Sequence, residues 1–200
     1  MAKPSWLSVT PTSGSGHGKI ENSSAEYTGR VKREGIVTVT GSGVAQSKTY
    51  KVIQTPKSEF VSFSGTELTV SIEGGSVTIE GYSNSSKLTF AWVGTSDVSL
   101  PNNYFAAGQT TSNGASILGD PGATAQYRFN FTIAFPPNTD IYEDVRVLKV
   151  TAAGGQSSQL TIRQAAEAAY LSVSPTEVTI PQAGGSVSVQ VTSNTNWTVS

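Results

Sequence analysis

Apolar and polar residues alternate along most of this chain with a period of two, in short runs cut off by Gly, Pro, Ser and Asn, which is the pattern of half-buried β-strands. The clearest run puts Tyr127, Phe129, Phe131, Ile133 and Phe135 on one face and Arg128, Asn130, Thr132 and Ala134 on the other, ending at Pro136-Pro137. Leu88, Phe90 and Trp92 share a face in the same way, opposite Lys87, Thr89 and Ala91. Three pairs of runs read as hairpins: residues 36–40 with 48–54 across Gly41-Ser42-Gly43, residues 67–72 with 76–82 across Glu73-Gly74-Gly75, and residues 145–151 with 159–164. Residues 6–11 start as a strand that breaks at Pro11, before the flexible stretch SGSGHGK. From Thr95 to Gly122 the alternation dissolves, and a loop of that length inside a compact domain is functional or mobile. The expected core is Val77, Ile79, Leu88, Phe90, Trp92, Phe129, Phe131 and Val150.

The pattern is written more than once. Residues 170–193, YLSVSPTEVTIPQAGGSVSVQVTS, repeat residues 60–83, FVSFSGTELTVSIEGGSVTIEGYS, at an offset of 110 without a gap. That offset aligns Ser62 with Ser172, Thr66-Glu67 with Thr176-Glu177, and Gly74-Gly75-Ser76-Val77 with Gly184-Gly185-Ser186-Val187. The last hairpin repeats the first with one residue deleted, so Val39-Thr40 matches Val150-Thr151 and Gln54 matches Gln164. A period of this length marks tandem domains, not a solenoid. The register divides the chain into residues 1–57, the second half of a module; 58–167, a complete module with the insertion 95–122; and 168–200, the first half of a third. About seven short strands per unit predict an all-β fold of tandem immunoglobulin-like β-sandwich modules without disulfides. The terminal stretches read as complementary halves: residues 168–200 would complete residues 6–57 within one chain or between neighbours, the alternative being a longer chain whose further residues complete the third module.

Composition narrows the partners. Charged residues make up 14% of the chain, the net charge is -1 and the pI is near 5.8, so no electrostatic footprint points to nucleic acid or an anionic membrane, and neither is an expected partner. The lack of cysteine removes disulfides, thiolate metal sites and a Cys nucleophile. His17 is the only histidine, so a Ser-His-Asp triad would have to be built around a Gly-rich loop and a two-His metal site is excluded. Residues 13–19 fail as a phosphate loop because Ser13 takes the first Gly position and Ile20 the Ser/Thr position. No catalytic residue is nominated and no cofactor is called for, so the expectation is a protein that is not an enzyme. MAKPSWLSVT lacks the apolar run of a secretory signal or membrane anchor; with Met1 native, the chain is expected to be made without an export address.

The residues YLSVSPTEVTIPQAGGSVSVQVTSNTNWTVS at one end, with WLSVTPTSGSG, REGIVTVT and YKVIQ at the other, resemble the BACON domain, an immunoglobulin-like module named for the Bacteroidetes and for carbohydrate binding. The resemblance covers the two terminal stretches. The middle module keeps FVSFSGTELTVSIEGGSV and LTIRQ and departs from the family through its insertion. It implies a place among surface glycosidases and proteases of gut Bacteroidetes, or among virion proteins of the crAss-like phages that infect them. The expected function is a structural or adhesive component at the virion surface, a head fibre or capsid-surface protein. Its expected partners are other virion or capsid proteins, copies of itself, and host or mucin glycans. The alternative is a glycan-binding accessory region of a Bacteroidetes cell-surface protein.

Two clusters are candidate sites. Asn102, Asn103, Tyr104 and Phe105 combine an aromatic pair with amides in the long loop, the composition of a ligand-binding tip and equally of a loop anchored to the body. Asn138, Asp140, Glu143 and Asp144 offer oxygen ligands in one short loop, a candidate calcium site whose spacing is not that of an EF-hand. Trp92 and Trp197 are expected to pack in cores and not to stack on sugars.

Overall fold

A computed structural model describes residues 3–200, and all regular structure among them is strand apart from one 3-10 turn at Pro121–Ala123. The N-terminal segment pairs β1 (Ser8–Thr10) with β2 (Glu21–Ser23) and β3 (Arg33–Val39) with β4 (Lys48–Gln54), each antiparallel. The central unit follows with β5 (Val61–Phe63), β6 (Glu67–Val70), β7 (Gly75–Ser83), β8 (Leu88–Trp92), β9 (Asn103–Ala106), β10 (Gln109–Ser112), β11 (Tyr127–Phe135), β12 (Asp144–Ala152) and β13 (Ser157–Gln164). The C-terminal segment adds the antiparallel pair β14 (Leu171–Ser174) and β15 (Gln190–Ser193).

The central strands form two sheets, in the orders β10-β9-β11-β7-β5 and β6-β13-β12-β8, and both turn their apolar faces onto one core. Alternation dictates which residues go in. Phe129, Ile133, Leu148, Val150 and Ile162 are fully buried while their strand neighbours face water. Phe90 is the contact between layers: its ring stands edge-to-face on Phe131 at 4.6 Å, Tyr104 at 5.0 Å and Phe129 at 5.5 Å, all three from the opposite sheet. Such pairs add to the burial term itself. Of the eight expected core residues six are buried; Val77 and Trp92 pack half-buried at the margin.

Two expectations need correction. Residues 67–70 and 75–83 flank a Gly-Gly pair but are not a hairpin, because β6 joins the four-stranded sheet, parallel to β13, and β7 joins the five-stranded one. Gly74 hands the chain across. It has a φ of +69°, and a side chain there would overlap the main-chain carbonyls of Phe135 and Pro136. The insertion is also more regular than a loop: β9 and β10 form a hairpin, with Ala107 and Gly108 both at positive φ in its turn, and Ala106 and Phe105 of β9 pair with Phe129 and Asn130 of β11. Val98 and Ile117 seal it to the core.

The sequence duplication recurs in the pairing. Val61, Ser62 and Phe63 lie opposite Ser83, Tyr82 and Gly81, while Leu171, Ser172 and Val173 lie opposite Ser193, Thr192 and Val191, each 110 residues on.

Phe131→Ala should destabilise the central unit by about 3–5 kcal/mol, since it empties the seat of the Phe90 ring. Chemical denaturation followed by tryptophan fluorescence measures it, and a loss under about 1 kcal/mol would contradict the packing described.

Candidate functional site

The four residues expected at a ligand-binding tip do not act together. The Tyr104 ring is buried in the core, where its hydroxyl accepts a hydrogen bond from Leu88 N at 3.4 Å and burial pushes its pKa up. The ring anchors the loop to the body, one of the two readings of this cluster: β9 joins the sheet, so alternate residues point inward. Asn103 Oδ1 accepts from Ser112 Oγ at 3.0 Å, and Asn102 contributes its carbonyl to Asn113 N at 2.8 Å. Phe105, 45% exposed on the outer face of β9, is left as the aromatic surface of the insertion.

The oxygen-rich loop is likewise committed to the protein itself. Asn138 is buried; its Nδ2 donates to Tyr142 O and Ala165 O at 3.0 and 3.1 Å, and its Oδ1 accepts from Asp140 N. Glu143 pairs with Arg163 at 2.9 Å and Asp144 with the buried Arg146 at 2.6 Å. Arg146 also holds Asp97 at 2.9 Å, keeping that carboxyl below the usual carboxylate range. Among the described residues, no three His, Cys, Asp or Glu side chains converge to hold a metal.

The arrangement with most structural consequence lies where segments meet. The Asn84 side chain has no exposure to solvent. Its Nδ2 donates to Thr28 O at 3.2 Å and Ser58 O at 3.1 Å, and its Oδ1 accepts from Phe60 N at 2.9 Å. Both amide donors are used and the carbonyl is bonded, to two separate stretches of chain. Around this amide the end of the insertion seats the N-terminal segment: Arg30 N donates to Gly122 O, Val31 N to Ala123 O, Gln126 N to Thr28 Oγ1, and the Arg30 guanidinium bonds both Asp120 oxygens at 2.6 and 2.7 Å. Gly122 is buried there, and a side chain on it would overlap the main chain of Asn84. Charge favours the match, since residues 3–57 hold eight Lys/Arg against three Asp/Glu and residues 58–167 five against ten.

Part of this arrangement recurs 110 residues on, without a counterpart of the Thr28 bond: there Asn194 Nδ2 reaches Glu167 Oε2 at 3.4 Å instead. Asn194 Oδ1 accepts from Tyr170 N at 2.9 Å and its Nδ2 donates to Ala168 O at 3.1 Å, as Asn84 does with Phe60 and Ser58. Ser83 and Ser193 each donate to the carbonyl of the matching aromatic, at 2.7 and 2.9 Å. One turn further, Lys57 N donates to Gly29 O at 3.0 Å and Glu167 N to Asp140 O at 2.8 Å, and Gln54 and Gln164 donate to Ala25 O and Pro136 O. Sequence reasoning missed this site because an Asn between serines reads as a turn; its signal was the recurrence of Ser-Asn at 83–84 and 193–194.

Asn84→Ala should cost about 1–3 kcal/mol by stranding a buried N–H and carbonyls, and should open the amides of residues 30–31 to hydrogen exchange. Asn194→Ala, at a half-buried copy of the site, should cost under about 1 kcal/mol, and equal costs would remove Asn84 from the centre of the joint. No protein-family model matches this chain, and no curated protein resembles it at a significant level.

Proposed function

We propose that this chain is a non-enzymatic structural or adhesive protein made of immunoglobulin-like units, a head fibre or capsid-surface component of a phage virion that binds host or mucin glycans. The observation that carries this reading is the buried Asn84 amide, which bonds Thr28 O of the N-terminal segment together with Ser58 O and Phe60 N of the central unit. Units fixed to one another through main-chain atoms suit a spacer that must hold its direction, which is what a fibre or surface decoration needs. The strand order supports the immunoglobulin-like character: β5, β7, β11 and β9 on one sheet, and β8, β12 and β13 on the other, correspond to the ABED and CFG sheets of that fold. The BACON resemblance of the terminal stretches supplies the setting.

A glycan-binding accessory region of a bacterial surface protein is the second reading, favoured by Phe105 standing exposed beside Asn103 on a rigid hairpin. Antibodies raised against the 200-residue chain should label intact phage particles under the electron microscope. Labelling confined to bacterial cells would transfer the assignment to the second reading. In either setting mucin glycans should bind the chain, and Phe105→Ala should weaken that binding about tenfold, equivalent to about 1.4 kcal/mol of stacking, in calorimetric titration.

A further inference from the structure

We propose that Asn113 is a site of spontaneous deamidation that the fold keeps inert with its own hydrogen bonds, and that its conversion, once the surrounding strap opens, leaves the edge of β8 permanently uncovered.

β8 is the outermost strand of the four-stranded sheet, so the main-chain groups of Leu88 and Phe90 that point away from β12 need other partners. Residues 113–117, the returning arm of the insertion, supply them. Gly114 N donates to Leu88 O at 2.9 Å and Ile117 N to Ser86 O at 2.8 Å, while the Tyr104 hydroxyl accepts from Leu88 N. At Phe90 the partner is a side chain: Asn113 Oδ1 accepts from Phe90 N at 2.8 Å, and Asn113 Nδ2 donates to Phe90 O at 2.9 Å. The carboxamide stands where the peptide groups of a neighbouring strand would stand. Ile117, 3% exposed, fastens this strap to the core.

Two demands meet at residues 113 and 114. The edge needs a side chain that donates and accepts at once, which an amide provides. The turn that presents it is closed by Ala115 N on Ser112 O at 3.0 Å and puts residue 114 at a φ of +78°, where glycine fits without strain. Together they place the one Asn-Gly pair of the sequence at this point. Glycine has no side chain to obstruct attack by its own nitrogen on the preceding side-chain carbonyl, so the pair is intrinsically labile.

The reaction needs only water. Gly114 N bonds to Asn113 Cγ, the Cγ–Nδ2 bond breaks, the Gly114 proton passes through solvent to the departing nitrogen, and ammonia leaves. The cyclic imide then adds water at either carbonyl and opens to aspartate or isoaspartate at position 113. In the closed strap both reacting groups are occupied: the Gly114 N–H is held on Leu88 O, and both ends of the carboxamide on Phe90. Conversion in the folded chain therefore proceeds only in the fraction of time the strap is open. An aspartate can accept from Phe90 N but has no N–H for Phe90 O, and isoaspartate lengthens the backbone of the turn. Neither product rebuilds the clamp, so the change runs one way.

The test is peptide mapping by mass spectrometry on the full chain, aged at mildly alkaline pH. Asn113 should convert at least about a hundredfold more slowly in the folded chain than in denaturant. Ile117→Ala and Tyr104→Phe, which loosen the strap without touching residues 113 and 114, should each speed conversion in the folded chain about tenfold. Val70→Ala, a cavity under β6 at the opposite edge of the same sheet, lowers global stability and should leave the rate within about twofold. In Asn113→Asp the amides of Leu88, Phe90 and Gly114 should exchange hydrogen at least about tenfold faster, while those paired between β12 and β13 keep their protection. Equal conversion in the folded and denatured chains, equal acceleration by Val70→Ala, or an unchanged β8 edge in Asn113→Asp would each overturn the proposal.

Discussion

A carboxamide removed from water must find partners for two N–H groups and a carbonyl or cost the fold the full desolvation of each. Asn84 meets that demand by drawing on residue 28 in the N-terminal segment and on residues 58 and 60 in the linker that leads into β5. The linker cannot slide along the sandwich without stranding one of those atoms. Everything nearby conforms to the arrangement: Gly122 is bare so that the insertion can come close, Arg30 reaches Asp120 across the gap, and the end of β7 is pinned by Ser83 against Phe60.

The second constraint acts on sheets. A sheet with one apolar face must cover it, and in residues 58–167 two sheets satisfy each other around the Phe90 ring. The insertion extends this solution sideways. By adding β9 and β10 next to β11 it pairs main-chain groups that would otherwise face solvent along an edge, and its far end becomes the seat for the preceding segment.

Much of this was legible in the sequence. Alternation located β7, β8, β11, β12 and β13 because their inward positions are large and apolar, and the 110-residue repeat anticipated two registers. The β9–β10 hairpin escaped notice because its inward residues beyond Tyr104 are Ala106 and Thr111, too small or too polar to show a period, and because Ala107-Gly108 is a weak turn signal. Gly74-Gly75 was misleading for a different reason. Local chemistry marks a turn but cannot say whether the two flanking strands pair with each other or part to separate sheets, and the decisive contact, Gly74 against the carbonyls after β11, lies far along the chain. Of the proposed sites, the polar loop was recognised as a cluster, but the arginines that occupy it, Arg146 and Arg163, sit on strands and gave no local hint.

The parallel pairing of β6 with β13 has a mechanical meaning. The chain enters the central unit beside Asn84 and leaves it at the opposite end, past Gln164. Tension applied through the two linkers therefore pulls β6 and β13 along their own axes in opposite directions. The bonds between them, from Thr161 N to Thr66 O through Ala165 N to Val70 O, are loaded together in shear and cannot open one after another as in peeling. A chain that is tethered at both ends thus meets force with a set of hydrogen bonds that must break together.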